Sequence, residues 1–446
     1  MRLPILLVSG AIAIGIGAAF VQQGGRGGPP PVFRTEYPAS KLNVIAGAPT
    51  TSSITLSVLA STAGTATLTY GADKQPPKTQ TVTLKEGVPL PVRLTKLQAS
   101  ARYRYDLQMG EEKLSGEFQT ARKASEPFTF VFQADSHLDG NTDTQVYERT
   151  LRNIVKDRPD FLVDLGDTFM VDKYPKPEDA LKQYQAQRYW FSIPGQAMSV
   201  FLCLGNHDGE VGWRGRGGIS STEWSQAQRE ANFPVISPDD FYSGAPRRGL
   251  YYSWKWGDAT FIVLDPFVAT TTKTRSDEDG WNWTLGETQF RWFEKVLKTS
   301  NSKYKFIFIH HLVGGFGREA RGGVEASDKF EWGNKVDFSK QRSGWAEPIH
   351  ELMVKYGVTA LFHGHDHLYV RQERDGITYL EVPQPSASRG NTNSAEGYGY
   401  KSGKLLGSSG HIRVTVGPER AKLEYVKSLP VSANGSIADS FELKGR

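Results

Sequence analysis

One cysteine, Cys203, stands in a chain of 446 residues, so no disulfide can form within it and no thiolate cluster can hold zinc. Its neighbours, VFLCLGNHD, place it in a buried strand, where a thiol serves as a small hydrophobe. The fold must therefore rest on large apolar cores. An excess of one charge is also missing: 53 Lys and Arg against 48 Asp and Glu leave +5, with no sustained basic stripe. A stable nucleic-acid partner is not expected from such a surface. Long hydrophobic runs are confined to one place. Behind Arg2, residues 3–21 (LPILLVSGAIAIGIGAAFV) carry no charge and contain small residues at 17–19. This is the pattern of a signal peptide, and the run is also long enough to span a bilayer uncleaved. Either reading exports the body to the periplasm, the envelope or the medium, and membrane contact is expected through this segment alone.

Glycine (46) and proline (24) are plentiful and imply long loops, and the length predicts two or three domains. Residues 22–37 begin QQGGRGGPPP and read as a linker. From 38 to 122 short alternating strands recur, at 54–58, 65–70, 79–84 and 102–107, separated by Gly, Pro and Asp turns. They predict a small β-sandwich. Residues 127–446 change character. Continuous apolar runs at 128–134, 161–165, 199–204, 259–264 and 305–309 alternate with amphipathic helices at 143–156, 177–191, 285–298 and 345–356. That pattern predicts an α/β sheet with helices packed outside it, followed by further strands near 377–382, 411–416, 422–426 and 441–443.

The apolar runs end in a restricted set of residues. They are Asp135-Ser136-His137, Asp164-Leu165-Gly166-Asp167, Gly205-Asn206-His207-Asp208, His310-His311 and Gly364-His365-Asp366-His367. Ligands of open α/β sheets gather beyond the carboxyl ends of strands. Six of the nine histidines lie in these five strand ends, and His363 is adjacent to one. Each motif alone has a bland account: Asp135 as a helix cap, Asn206 as a turn residue, His310 as a satisfied core histidine. The joint pattern favours a site that binds metal and moves protons. Imidazole, carboxylate and one amide without thiolate suit Fe, Mn or Zn.

The order D-x-H, G-D, G-N-H-D, H-H, G-H-D-H resembles the calcineurin-like metallophosphoesterases, including the purple acid phosphatases. The resemblance covers roughly residues 128–426. It implies a four-layer α/β/β/α sandwich holding two divalent or trivalent metal ions. By position, the first ion would take Asp135, His137, Asp167 and His367. The second would take Asp167, Asn206, His310 and His365, with Asp167 bridging. His207 would face the phosphoryl group as acid or charge stabiliser, Asp208 would orient its ring, and a hydroxide between the metals would attack in line. Purple acid phosphatases carry a metal-bound tyrosine three residues after the bridging aspartate. Met170 stands there, so the site looks like the wider, colourless group. Tyr103 in LQASARY resembles the corner tyrosine of a fibronectin type III domain, which gives the preceding sandwich its expected type.

The implied activity is hydrolysis of small phosphate esters. A phosphodiesterase specialised for nucleotides or glycerophosphodiesters is the alternative, and a non-catalytic envelope-binding protein is a third reading, opposed by a complete set of seven ligand positions. Two Gly- and Arg-rich segments, 209–249 and 312–344, frame the motifs. From them Arg216, Arg318 and Arg321 are candidate substrate contacts, with His311 beside them, although solvated loop arginines would look the same in sequence.

Overall fold

The computed structural model describes residues 32–73, 75–213, 221–246, 249–274, 276–314 and 321–446. The leader expected at 1–21, most of the expected linker, Arg216 and Arg318 lie outside them. Among the described residues no helix is long and apolar enough to cross a membrane.

Seven strands come first: β1 (Leu42–Gly47), β2 (Ser53–Ala60), β3 (Gly64–Ala72), β4 (Lys78–Leu84), β5 (Leu90–Thr95), β6 (Arg102–Met109) and β7 (Glu112–Gln119). They form a two-sheet β-sandwich, with β1, β2 and β5 facing β4-β3-β6-β7 across a core of Val44, Leu56, Leu68, Tyr105 and Phe118. The Gln98 N–H donates to the Tyr103 hydroxyl at 2.8 Å, the backbone tie expected of a corner tyrosine.

The remaining strands are β8 (Phe128–Gln133), β9 (Phe161–Asp164), β10 (Ser199–Leu202), β11 (Ser243–Gly244), β12 (Tyr252–Trp256), β13 (Ala259–Val263), β14 (Tyr304–Phe308), β15 (Ala360–His363), β16 (Leu368–Arg374), β17 (Ile377–Glu381), β18 (Lys404–Gly407), β19 (Gly410–Val416), β20 (Arg420–Lys427) and β21 (Ile437–Lys444). They build two facing sheets. One runs β21-β20-β19-β8-β9-β10-β1-β2-β5 and the other β11-β12-β13-β14-β15-β17-β16-β18. Helices α1 (Thr144–Lys156) and α2 (Leu181–Gly195) cover the first, while α4 (Glu287–Thr299) and the helix Ile349–Lys355 cover the second. An additional helix, α3 (Ser221–Asn232), occupies part of the segment read from sequence as a loop. The body that follows the β-sandwich is thus a four-layer α/β/β/α sandwich.

The strand sequences explain the layering. Successive side chains of a strand point to opposite faces. Phe130, Phe132, Phe161, Phe261, Phe306, Phe308 and Phe362 point between the sheets, while Val131, Leu162, Ile262, Ile307 and Leu361 point out to the helices. Flat rings interlock edge to face across the gap, as with Phe130 and Phe261 at 5.1 Å and 89°.

The β-sandwich is joined to this body more closely than a linker between domains suggests. Strand β1 pairs in parallel with β10 through Ala46 and Ser199, so one of its sheets extends the first sheet of the body. Arg102 and Arg122 both reach Asp160, and the Glu117 N–H donates to the Gln196 carbonyl at 2.8 Å. Deepest is Arg188 of α2, 1% exposed, which donates to the Ser57 hydroxyl and carbonyl on β2 and to the Asn232 carbonyl ending α3. Among the described residues it has no carboxylate partner, and burial pushes its pKa down to about 9. Arg188→Met leaves two buried carbonyls unpaired and is expected to cost about 3 kcal/mol. Chemical denaturation should show one transition moved to lower denaturant. Two separated transitions in the variant would show that other contacts do not suffice to couple sandwich and body.

Candidate metal centre

Strands β8, β9 and β10 run parallel, as do β13, β14, β15 and β17. The motif-bearing loops therefore leave the two sheets at one common edge. Four residues there turn the chain through left-handed backbone: Asp135 (φ 58°), Asp167 (54°), His365 (87°) and His367 (58°). Such values are costly outside glycine and cluster where a site needs side chains aimed inward.

Two glycines allow the loops to meet. A Cβ on Gly205 would lie 2.1 Å from the Asp167 nitrogen, and one on Gly364 would lie 2.6 Å from the Ala134 Cβ and 2.9 Å from Asp135 Oδ2. Across this contact the His365 N–H donates to Asp135 Oδ2 at 2.9 Å, and the His207 N–H to Asp167 Oδ1 at 2.8 Å. From behind, Gln187 of α2 donates to the carbonyls of Ser136 (2.6 Å) and Thr168 (2.9 Å), stitching two of the loops together.

Two groups of side chains result, Asp135–His137–His367 and Asp167–His310–His365, each with its ligand atoms within 4.8 Å of one another. His137 and His367 approach Nε2 to Nε2 at 3.1 Å, and His367 Nε2 lies 3.4 Å from Asp135 Oδ1. His310 Nε2 lies 3.1 Å from Asp167 Oδ2 and 3.9 Å from Asp135 Oδ1, linking the groups. All are buried except His365 and His367, the latter with 40% of its side chain exposed, so the cup opens on that side.

The donor set fits metal ions. His310 donates Nδ1–H to the Leu165 carbonyl at 2.9 Å, which turns the lone pair of Nε2 inward. Asp135 Oδ1, Asn206 Oδ1, His310 Nε2 and His365 Nδ1 are buried without a hydrogen-bond partner. Buried polar atoms are rarely left so unless something else binds them. The electrostatics agree. Burial alone raises both carboxyls, but His367 beside Asp135 and His310 beside Asp167 outweigh it and hold both below the usual range. Burial likewise disfavours protonation of His137 and His310, yet Asp139 and Asp167 respectively push them up to about 9. Burial, with His311 and Arg321 nearby, holds His365 far below its ordinary value, as a neutral ligand requires.

Six of the seven expected ligand positions are thus gathered at one edge, and Asn206 is buried at 7% exposure with its Oδ1 unpartnered. His207 stands against them, its Nε2 3.8 Å from Asp167 Oδ2. The expected role of Asp208 does not survive. Its carboxylate accepts four backbone N–H bonds, from Gly205 (2.7 Å), Asp167 (3.1 Å), Thr168 (2.7 Å) and Phe169 (2.8 Å). Burial, then the charge of Asp167, push its pKa up to about 7 against those donors. Asp208 therefore ties the loops after β9 and β10 together, and the partner of the His207 ring is Asp172, with Oδ1 2.8 Å from Nδ1. Sequence reasoning missed Asp172. Its signal was an acid five residues after Asp167, behind the buried, left-handed Met170.

Of the proposed substrate contacts among the described residues, His311 packs edge-on against His365 at 4.1 Å, with its Nδ1 accepting the Gly314 N–H. Arg321 is engaged within the protein. Its Nε lies 3.0 Å from Asp366 Oδ1, and its guanidinium lies over the Tyr398 ring at 4.0 Å. It braces the loop that carries His365 and His367.

Fold and cup together define a metal-dependent hydrolase of phosphate esters. The chain belongs to the calcineurin-like phosphoesterase family, whose model matches residues 128–369, more than half of its length. Among solved structures it is similar to PhoD, at 15% identity and a TM-score of 0.65, with 92% of each chain covered. It is similar also to the purple acid phosphatase PPD1 from yellow lupin (Lupinus luteus) seeds, at 16% identity and a TM-score of 0.61, covering 90% of this chain and 74% of that one. No curated protein sequence matches at a significant level.

Two outcomes separate the aspartates. Asp208→Asn should lower stability by about 1–3 kcal/mol, because an amide cannot accept from all four N–H groups. Asp172→Asn should leave the melting temperature in place and cut turnover about 10- to 100-fold, the usual effect of losing a histidine's outer partner. Equal melting losses in both variants would contradict the assignment. Metal uptake should also release protons. Asp139 and Asp167 push His137 and His310 up to about 9, so a binding cation should displace their protons and affinity should rise with pH towards that value. Titration of chelated protein with Mn²⁺ or Zn²⁺ in weak buffer reads this directly, and uptake without proton release would refute it.

Proposed function

We propose that the chain hydrolyses small phosphate esters at a binuclear centre, working outside the cytoplasm. The observation that carries the reading is the pair of adjoining ligand groups, linked through His310 and carrying unpartnered, inward-facing donor atoms. The first ion would be held by Asp135, His137 and His367, and the second by Asp167, Asn206, His310 and His365. Two such ions, when bound, would supply charge to neutralise an anionic ester and would lower the pKa of a water held there.

The chain's own part is to orient and to move a proton. His207 has its Nδ1 engaged by Asp172, which leaves Nε2 on the side of Asp167 and the cup. From there it protonates the departing oxygen, while Asp172 stabilises the imidazolium and fixes its tautomer. Met170 supplies no phenolate, so an iron-loaded centre should lack the tyrosine charge-transfer colour. Export is supported by the uncharged run at 3–21 behind Arg2. The support for small esters is the chemistry of the cup, which reads the phosphoryl group, and it accommodates monoesters and diesters alike.

Turnover of p-nitrophenyl phosphate and of bis-p-nitrophenyl phosphate, with metal content measured alongside, tests this. Chelation should abolish activity and added Mn²⁺ or Zn²⁺ should restore it. His207→Ala should keep both metals and lose about 10²- to 10⁴-fold in turnover. Undiminished activity in fully stripped protein would overturn the proposal.

A further inference from the structure

Residues 32–37 belong to the stretch that reads from sequence as a linker, yet the structure docks them on the loop that follows His137. Phe33 forms an antiparallel bridge with Asp139, and the Arg34 N–H donates to the Leu138 carbonyl at 2.8 Å. Leu138 directly follows His137, and Asp139 Oδ2 lies 3.5 Å from His137 Nδ1. The Phe33 ring stacks on Tyr174 at 4.2 Å and 11°, and Tyr174 lies two residues beyond Asp172, the partner of His207. Further along, Tyr37 stacks on Tyr189 of α2 at 5.4 Å. The segment thus bridges the loop behind one ligand group and the loop that sets the proton donor. Both Phe33 and Tyr174 are only half-buried.

We propose that residues 32–37 form a wall of the active-site mouth, and that Phe33 with Tyr174 selects phosphate esters whose leaving group is aromatic or otherwise planar. The inference rests on the reading of the cup as an ester hydrolase. Tyr174 belongs to the same loop as Asp172, the partner of the His207 ring that gives the leaving oxygen its proton. Two rings stacked nearly parallel with part of their surface open offer a flat apolar platform to a third plane, which a small aliphatic group cannot use as well.

The test compares phenyl phosphate with glycerol phosphate on the metal-loaded full chain, and phenylphosphonate with methylphosphonate binding by calorimetry. Phe33→Ala should lower kcat/KM for phenyl phosphate about three- to tenfold, mostly through KM, and leave glycerol phosphate nearly unchanged. It should weaken phenylphosphonate in proportion and leave methylphosphonate and metal content as they were. Phe33→Tyr should restore the preference. If Phe33→Ala fails to fold, Phe33→Leu keeps an apolar filler without a flat face and should show the same loss. An unchanged substrate ratio, or equal losses for both esters, in an active protein would overturn this proposal alone. Wild-type protein that turns over neither ester and binds neither phosphonate would sink the hydrolase reading with it.

Discussion

Two carboxylates, Asp135 and Asp167, lie fully buried at the ends of adjacent strands, and everything around them answers to that burial. Taking one carboxylate out of water costs several kcal/mol even after relaxation, and a second one nearby adds repulsion. The protein supplies what neutral material it can. One oxygen of each accepts a backbone N–H, from His365 for Asp135 and from His207 for Asp167. The remaining oxygens face imidazoles, His367 beside Asp135 and His310 beside Asp167, and Asp167 pushes His310 up to about 9. A site that holds protons on histidines well above their ordinary range is one that divalent ions can occupy by exchange. The metal-binding property is thus a consequence of where the strands stop.

Such an arrangement needs a platform that does not yield. The two sheets are locked by aromatic rings on the facing sides of β8, β9, β13, β14 and β15, with aliphatic residues turned to the helices. Interiors packed this tightly transmit strain in place of absorbing it. The β-sandwich adds to the same platform. Its β1–β2–β5 sheet prolongs the catalytic sheet, and Arg188 fixes α2 to β2. Since α2 also carries Gln187, which holds the Ser136 and Thr168 carbonyls, the sandwich supports the loops of the metal centre through one helix.

The layer order and the ligand positions were legible because both rest on strong local signals. Apolar runs of four to six residues joined by amphipathic helices leave few architectures, and metal chemistry admits few residue types at a strand end. What escaped notice depended on tertiary geometry. Asp208 follows His207 in sequence, which made it the obvious ring partner, but the turn at Gly205–Asp208 swings its carboxylate back into the backbone of the preceding loop. Asp172 reaches the ring from the short turn that follows the left-handed Met170. Helix α3 is polar along STEWSQAQREAN and has little apolar periodicity to announce it. It is held by a buried charge pair, Arg229 with Glu210 at 2.6 Å, that no pattern in the chain foretells. Arg321 was a fair candidate for substrate, and its pairing with Asp366 could be seen only in three dimensions.

The left-handed turns at Asp135, Asp167, His365 and His367 bear on when the site takes shape. Each costs on the order of 1–3 kcal/mol for a residue with a Cβ, and such conformations persist only where their surroundings over-determine them. Here the determinants are protein groups. Asp208 gathers four N–H donors, Gln187 grips two carbonyls, Gly205 and Gly364 admit backbone contacts that a methyl group would block, and Arg321 braces Asp366 between the two histidines. These contacts are all made between protein groups, so the strain is borne by folding, and the same contacts that hold the loops make the ligand side chains converge.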